Sequence, residues 1–72
     1  TVLRAICGDP ALAALDRRLA ARFAALDASA DPATVQRIHR GETAFLNDRQ
    51  SCPDRACLVD AYRTRLRELG DD

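Results

Sequence analysis

Apolar residues recur along most of this chain at alternating spacings of three and four, the pattern of amphipathic helices. The first such stretch follows Asp9-Pro10. This pair starts helices because Asp caps the end and Pro fits the first turn, where no backbone donor is needed. The pattern predicts a helix over 10–28. Its apolar stripe consists of Leu12, Leu15, Leu19, Phe23 and Leu26.

Two further helices are predicted, over 32–50 and 54–69. A second Asp-Pro pair at 31–32 starts the first of them, the Ser-Cys-Pro segment 51–53 separates the two, and Gly70 is placed as a stop. The buried side is predicted to hold Val35, Ile38, Phe45 and Leu46 in the second helix and Leu58, Tyr62, Leu66 and Leu69 in the third.

The link at 28–31 is short, and short links force neighbouring helices to run antiparallel. Facing residues then have numbers that sum to about 60. We therefore predict one all-α domain over 1–72, an antiparallel helical hairpin plus a third C-terminal helix, stapled by a disulfide. The apolar pairs matched by this register are Leu26 with Val35, Phe23 with Ile38, and Leu15 with Phe45.

Three cysteines are the candidate staples. A domain this small often carries one, because its core supplies only about 3–5 kcal/mol. The same register places Cys7 opposite Cys52, and a disulfide there would close a loop of about 45 residues, worth about 3–4 kcal/mol. Cys57 is then unpaired, or bonded to a cysteine outside this sequence. Two alternatives stay open: a Cys52–Cys57 bond that closes a short loop, and three free thiols.

No metal site or cofactor is expected. The one histidine, His39, lies about 20 Å from Cys52 along the second helix, at 1.5 Å per residue, so it cannot join the cysteines in a tetrahedral site.

An enzyme is not expected either, since no nucleophile–base constellation is apparent. Asp16 and Glu42 are nearly opposite in the register and could perform acid–base chemistry, but a thin hairpin offers no enclosed pocket. Asp16, Arg49 and Arg65 are predicted instead to form a structural polar network.

Charge balance argues against a nucleic-acid partner. The chain has eleven basic residues, all of them Arg, and eleven acidic residues. A DNA-binding helix would have to be basic, whereas Asp60 and Glu68 offset the arginines of the third helix. No apolar run reaches the roughly 20 residues of a membrane span. A disulfide favours a periplasmic or secreted protein whose signal peptide is removed or not included.

Several short motifs occur in a fixed order along nearly the whole chain. They are Leu-Asp at 15–16, Arg-x-x-Cys at 49–52 and Cys-Leu-x-x-x-Tyr-x-x-Arg at 57–65. In order and spacing they resemble the N-terminal domain family of the lysozyme inhibitor LprI, small bacterial envelope domains. The segment 42–46 departs from that family, with Glu-Thr-Ala-Phe-Leu where Gln-Arg-x-Trp-Leu is usual. The resemblance implies export, disulfides and, for at least one member, inhibition of lysozyme.

Two functions follow as hypotheses. The first is a lysozyme-inhibitor-like binding domain, which needs an exposed link to reach the enzyme. Animal c-type lysozymes are cationic, so acidic residues at the hairpin tip and the second link, Asp27, Asp31 and Asp54, are the candidate contacts. The second is a structural or protein-interaction module of an envelope protein without lysozyme activity. It predicts an exposed apolar stripe, or a homodimer that buries one.

Overall fold

A computed structural model describes residues 2–70 of the chain, and within that range it contains helices and no strand. The helices are α1 (Val2–Cys7), α2 (Pro10–Ser29), α3 (Pro32–Gln50) and α4 (Arg55–Glu68). The predicted all-α class is confirmed. In this part of the chain no helix combines the length and the apolar character needed to cross a membrane.

An aspartate side chain caps the start of each of the three long helices. Asp9 accepts hydrogen bonds from the backbone N–H groups at the start of α2, Asp31 from that of Thr34, and Asp54 from that of Cys57. Proline occupies the first turn of α2 and of α3. Because these start signals are local, the predicted bounds 10–28, 32–50 and 54–69 agree with the observed ones to within one residue at each end.

The short helix α1 was not among the predicted elements. It has only six residues, too few for a periodic pattern, and it is held by the burial of Ile6, which is 4% exposed. At its end the backbone N–H of Gly8 donates to Arg4 and that of Asp9 to Ile6, so the chain turns before α2 begins. α1 then packs against α2.

The core is assembled around α4, which packs against both α2 and α3. Tyr62 is completely buried, and the partly buried Leu15, Phe23 and Leu26 pack at the margin of the core. Leu46, predicted on the buried side of α3, is 40% exposed. The buried apolar residues are Ile6, Leu12, Leu19, Ile38, Phe45, Leu58, Tyr62, Leu66 and Leu69.

The end of α4 is tied back to α2. Arg22 donates through Nε to the carbonyl oxygen of Leu69 at 2.9 Å. A carbonyl at the end of α4 that has no partner within the helix therefore accepts a hydrogen bond from a charged group. Gly70 follows with φ of +80°, a left-handed conformation that residues with a Cβ rarely adopt. The glycine therefore ends the helix as its position in the sequence suggested.

The disulfide joins Cys52 to Cys57, with a Cα–Cα distance of 5.4 Å, and Cys7 is a free, exposed thiol. The prediction of a Cys7–Cys52 bond is therefore wrong, and the short-loop alternative is the observed pairing. The predicted pairing assumed that Cys7 continues the direction of α2. The chain instead turns at Gly8, so α1 runs in a different direction. Asp54 caps α4 two residues after Cys52. Cys57 therefore lies in the first turn of α4, next to Cys52.

Candidate functional site

A buried polar cluster lies where α2, α3 and α4 meet. Tyr62 donates from its hydroxyl to Asp16 Oδ1 at 2.7 Å and accepts from Arg49 Nη1 at 3.0 Å. Arg49 Nη1 also lies 3.7 Å from Asp16 Oδ1. The Arg49 guanidinium sits over the Phe45 ring, 5.9 Å from its centroid, and Phe45 packs edge-on against Tyr62. The tyrosine therefore links one residue of each long helix.

The environment of Tyr62 changes its acidity. Burial, reinforced by the hydrogen bond to Asp16 and opposed by the one from Arg49, raises the pKa of Tyr62 from 10.0 to about 12. The hydroxyl is consequently a neutral donor at any physiological pH. It holds the cluster together as a hydrogen-bond donor to Asp16 and acceptor from Arg49.

A second buried arginine forms a separate cluster between α3 and α4. Arg65 is only 4% exposed; it donates through Nε to Glu42 at 3.1 Å and through Nη2 to the carbonyl oxygen of Ile38 at 2.6 Å. Its Nη1 lies 3.5 Å from Glu68. The backbone of α3 leaves room for the guanidinium only because position 41 is glycine, since a Cβ there would come within 2.5 Å of Nη1.

The predicted network of Asp16, Arg49 and Arg65 is thus two clusters. Asp16 and Arg49 share Tyr62, whereas Arg65 binds Glu42. The two carboxylates weighed as an acid–base pair bind different arginines, since Asp16 lies beside Arg49 and Glu42 beside Arg65. Both clusters bind helices to one another.

The acidic residues proposed at the two links already have partners. Asp27 Oδ1 lies 2.6 Å from Nε2 of His39, and Asp31 and Asp54 cap α3 and α4. The hydrogen bonds from Thr34 hold the pKa of the Asp31 carboxyl below its usual value. These contacts organise the ends of the helices, and all three carboxylates remain exposed.

The structure also locates the histidine. His39 is exposed, contacts Asp27, and meets the Phe23 ring edge-on at 5.1 Å. Over residues 2–70, no group of three or more His, Cys, Asp or Glu side chains is arranged to hold a metal ion.

An open groove of about 520 Å³ runs between α3 and α4. Its floor contains Phe45 and the disulfide, and its walls carry Asp48, Asp60 and Glu68. Arg65 reaches the groove but is buried and bound to two carboxylates. We call this the acidic groove, defined by Asp48, Asp60 and Glu68.

A second groove, of about 370 Å³, lies on the other side of α4, against α2. It has an apolar floor that includes Leu15 and Val59, and it carries Arg18, Arg55 and Arg63. We call this the basic groove, defined by those three arginines. The chain's net charge of zero therefore conceals two surfaces of opposite sign.

Sequence reasoning missed both grooves, although α4 carries a readable signal for them. Within α4, Asp60 and Glu68 line the groove toward α3, whereas Arg55 and Arg63 line the groove toward α2. Recording the angular position of each charge around the helix, and not only the sum of charge over the helix, would have separated them.

Comparison with family models, curated proteins and solved structures finds no match to this chain.

Proposed function

We propose that this chain is an exported protein-binding domain of the LprI N-terminal type that inhibits a cationic lysozyme. The activity proposed is binding, without catalysis, metal or cofactor. The sequence resemblance supplies the class of target, and the geometry of the acidic groove supplies a surface that suits it.

The acidic groove is the observation that carries the proposal. Asp48 and Asp60 are exposed, and neither forms an ion pair within residues 2–70. Unpaired carboxylates on the walls of an open groove attract a cationic partner and raise its association rate. The groove also supplies a small apolar area for contacts, through Ala44, Ala61 and the disulfide, whereas Phe45 is only 6% exposed and belongs to the core.

The disulfide supports the compartment named in the proposal. Bonds of this kind persist in the periplasm and outside the cell and are rare in the cytosol. Here the bond from Cys52 to Cys57 lines the acidic groove, so it fixes the wall of the surface proposed for binding. Its reduction is expected to weaken binding as well as stability.

Cell-wall lysis by a panel of c-type lysozymes, with and without the oxidised domain, tests the proposal. We expect dose-dependent inhibition that falls when the disulfide is reduced and alkylated. Because alkylation also blocks Cys7, the Cys7→Ser protein with its disulfide intact is the matched control and should inhibit as well as the unmodified chain. No inhibition at high molar excess would favour the alternative, an envelope interaction module without lysozyme activity.

A further inference from the structure

Helices α2 and α4 pack side by side in a constant register. Three hydrogen bonds join them, each spanning 46 or 47 positions of the sequence: Arg55 to Asp9, Tyr62 to Asp16 and Arg22 to Leu69. Because the separation stays the same along both helices, they run in the same direction. A residue of α2 therefore lies level with the residue of α4 about 46 positions later, and the basic groove is the furrow between the two helices.

This register places arginines on opposite sides of the basic groove. Arg18 of α2 lies level with Arg63 of α4, and both line the groove. One turn further along, Arg22 lies level with Arg67. On each helix the second arginine follows the first by four residues, about 6 Å along the axis and about 40° around it. Like charges therefore lie across from each other at two levels, and an anion between them would relieve their repulsion.

Most of these arginines have no carboxylate partner within residues 2–70. Arg63 forms no ion pair in that range, and Arg22 and Arg67 bind neutral groups, a backbone carbonyl and a hydroxyl. Arg55 binds Asp9, but the arginine side chain is 59% exposed, and pairs of this kind contribute little. The positive charge of the surface is therefore available to a partner.

The floor of the groove is apolar. Leu15 and Val59 pack there as partly buried residues, and on the α2 side the lining continues with the exposed Ala11 and Ala14. Small side chains let a third helix approach closely. An apolar floor between two arginine-bearing rims suits an amphipathic helix, because its apolar stripe can lie on the floor while carboxylates on both flanks reach the rims.

We propose that the basic groove binds an acidic amphipathic helix of a partner protein. Carboxylates four residues apart on such a helix repeat at about 6 Å, the spacing of the arginines along each rim. A guanidinium can hold a carboxylate through two parallel hydrogen bonds. From Arg55 to Arg67 the arginines extend over about 18 Å of α4, so the docked helix has about three turns or more.

A helix suits this surface better than a membrane or a nucleic acid does. Asp60 is exposed and lies about 200° around α4 from the buried Leu58, so it points away from the core. A large anionic surface lying across α4 would meet this carboxylate, whereas a helix seated in the groove meets the arginines. The chain's net charge of zero also supplies no long-range attraction to such a surface.

This interaction does not depend on the proposed lysozyme contact. The basic groove lies toward α2 and the acidic groove toward α3, so the two proposals use different sides of α4. The test below contains no lysozyme, and its outcome is therefore separate from the outcome of the lysis assay.

Fluorescence anisotropy with a synthetic helical peptide tests the proposal. The probe has about 20 residues, enough to form a helix by itself, with a stripe of leucine and alanine flanked on both sides by glutamates four residues apart. We expect it to bind the oxidised chain at low salt and at least about tenfold more weakly at about 0.5 M NaCl. The same peptide with glutamine in place of glutamate should also bind at least about tenfold more weakly.

Two variants locate the binding site. Arg63→Glu should weaken binding of the glutamate peptide at least about tenfold. Arg40→Glu is the matched control, since Arg40 is an exposed residue of α3 that lines neither groove, and it should bind as well as the wild type. Circular dichroism checks that both variants are folded.

Four results would each overturn the proposal. They are no binding of the glutamate peptide at low salt, equal binding by folded Arg63→Glu and the wild type, equal weakening by Arg40→Glu, and tighter binding of phosphatidylglycerol vesicles or single-stranded DNA than of the peptide.

Discussion

The Tyr62 hydroxyl donates a hydrogen bond to Asp16 Oδ1 at 2.7 Å, joining α4 to α2 across 46 positions of the sequence. Arg49 of α3 donates to the same oxygen of the tyrosine. Tyr62 is fully buried, but the Asp16 side chain is 47% exposed, so the contact is only partly shielded from water. One phenol group therefore connects the three long helices, and its titration reports on the integrity of the bundle.

We predict that the folded chain loses stability as the pH rises above about 10. The pKa of Tyr62 is about 12 in the folded state and 10.0 unperturbed, so the unfolded chain releases its proton first. The free energy of unfolding then falls by up to about 1.4 kcal/mol per pH unit until the pH reaches the folded pKa.

Absorbance at alkaline pH measures this prediction cleanly, because Tyr62 is the chain's one tyrosine and lysine is absent. Tyrosinate should appear near pH 12 in the folded protein and near pH 10 in denaturant. The Tyr62→Phe protein is the control for stability and should lose the downward slope. Tyrosinate absorbance rising at pH 10 in the folded chain would show that the phenol is not buried.

We predict that Gly41→Ala destabilises the protein, although alanine is the better helix former by about 1 kcal/mol. A Cβ at 41 would lie 2.5 Å from Arg65 Nη1, so the guanidinium must shift, and this shift weakens its hydrogen bonds to Glu42 and to the carbonyl oxygen of Ile38. Weakening of the Arg65 hydrogen bonds should outweigh the gain in helix propensity. We expect urea unfolding to show a free energy of unfolding lower by about 1–2 kcal/mol.

The sign of that effect should reverse when Arg65 is replaced by methionine. In the Arg65→Met background no guanidinium fills the space beside position 41, so Gly41→Ala should stabilise by up to about 1 kcal/mol. If Gly41→Ala stabilised the protein in both backgrounds, the Arg65 guanidinium would not need the space that glycine leaves at position 41.

The Cys52–Cys57 bond should make a modest contribution to stability. It closes a loop of about six residues, for which the chain-entropy model gives about 2 kcal/mol. We expect the double replacement Cys52→Ser/Cys57→Ser to lower the free energy of unfolding by that amount, and Cys7→Ser to leave it unchanged.

Tryptic mapping without reductant checks the pairing itself. Cleavage after Arg55, inside the loop, should leave two peptides joined by the disulfide, with Cys7 on a third peptide as a free thiol. A peptide joining Cys7 to Cys52 would contradict the observed pairing.

Leu19→Asp should unfold the domain. Leu19 is 3% exposed within the core, and an unpaired carboxylate there costs several kcal/mol, comparable with the whole stability of about 3–5 kcal/mol of a domain this size. Leu3→Asp is the matched control because Leu3 is 61% exposed, and it should change stability by less than about 0.5 kcal/mol. Melting followed by circular dichroism compares the two, and a native melting curve for Leu19→Asp would refute the core assignment.

Local signals in the sequence were sufficient for the long helices. Asp9, Asp31 and Asp54 cap them through contacts two or three residues away, so their positions could be found without knowing the fold. The apolar stripe of α2 was also readable. Which of its members are fully buried was not, because only the packing shows that Leu12 and Leu19 lie inside the core and Leu15 at its margin.

Features that depend on contacts between distant segments could not be predicted in the same way. The cysteine pairing depends on the turn at Gly8, which ends a helix too short to leave a pattern. The reason for glycine at position 41 is likewise visible only in the fold, where the Arg65 guanidinium lies beside it. The charges on the two sides of α4 are different, because the angular position of each residue around a single helix follows from the sequence itself.

The claim that the acidic groove binds a cationic lysozyme is tested most directly by calorimetric titration of a c-type lysozyme with three proteins, at a concentration where each is a single chain. The wild type should bind, Asp60→Arg should bind at least about tenfold more weakly, and Arg63→Asp, which makes α4 more acidic, should bind at least as well as the wild type. Absence of binding by the wild type, or equal affinity for wild type and Asp60→Arg, would contradict the account.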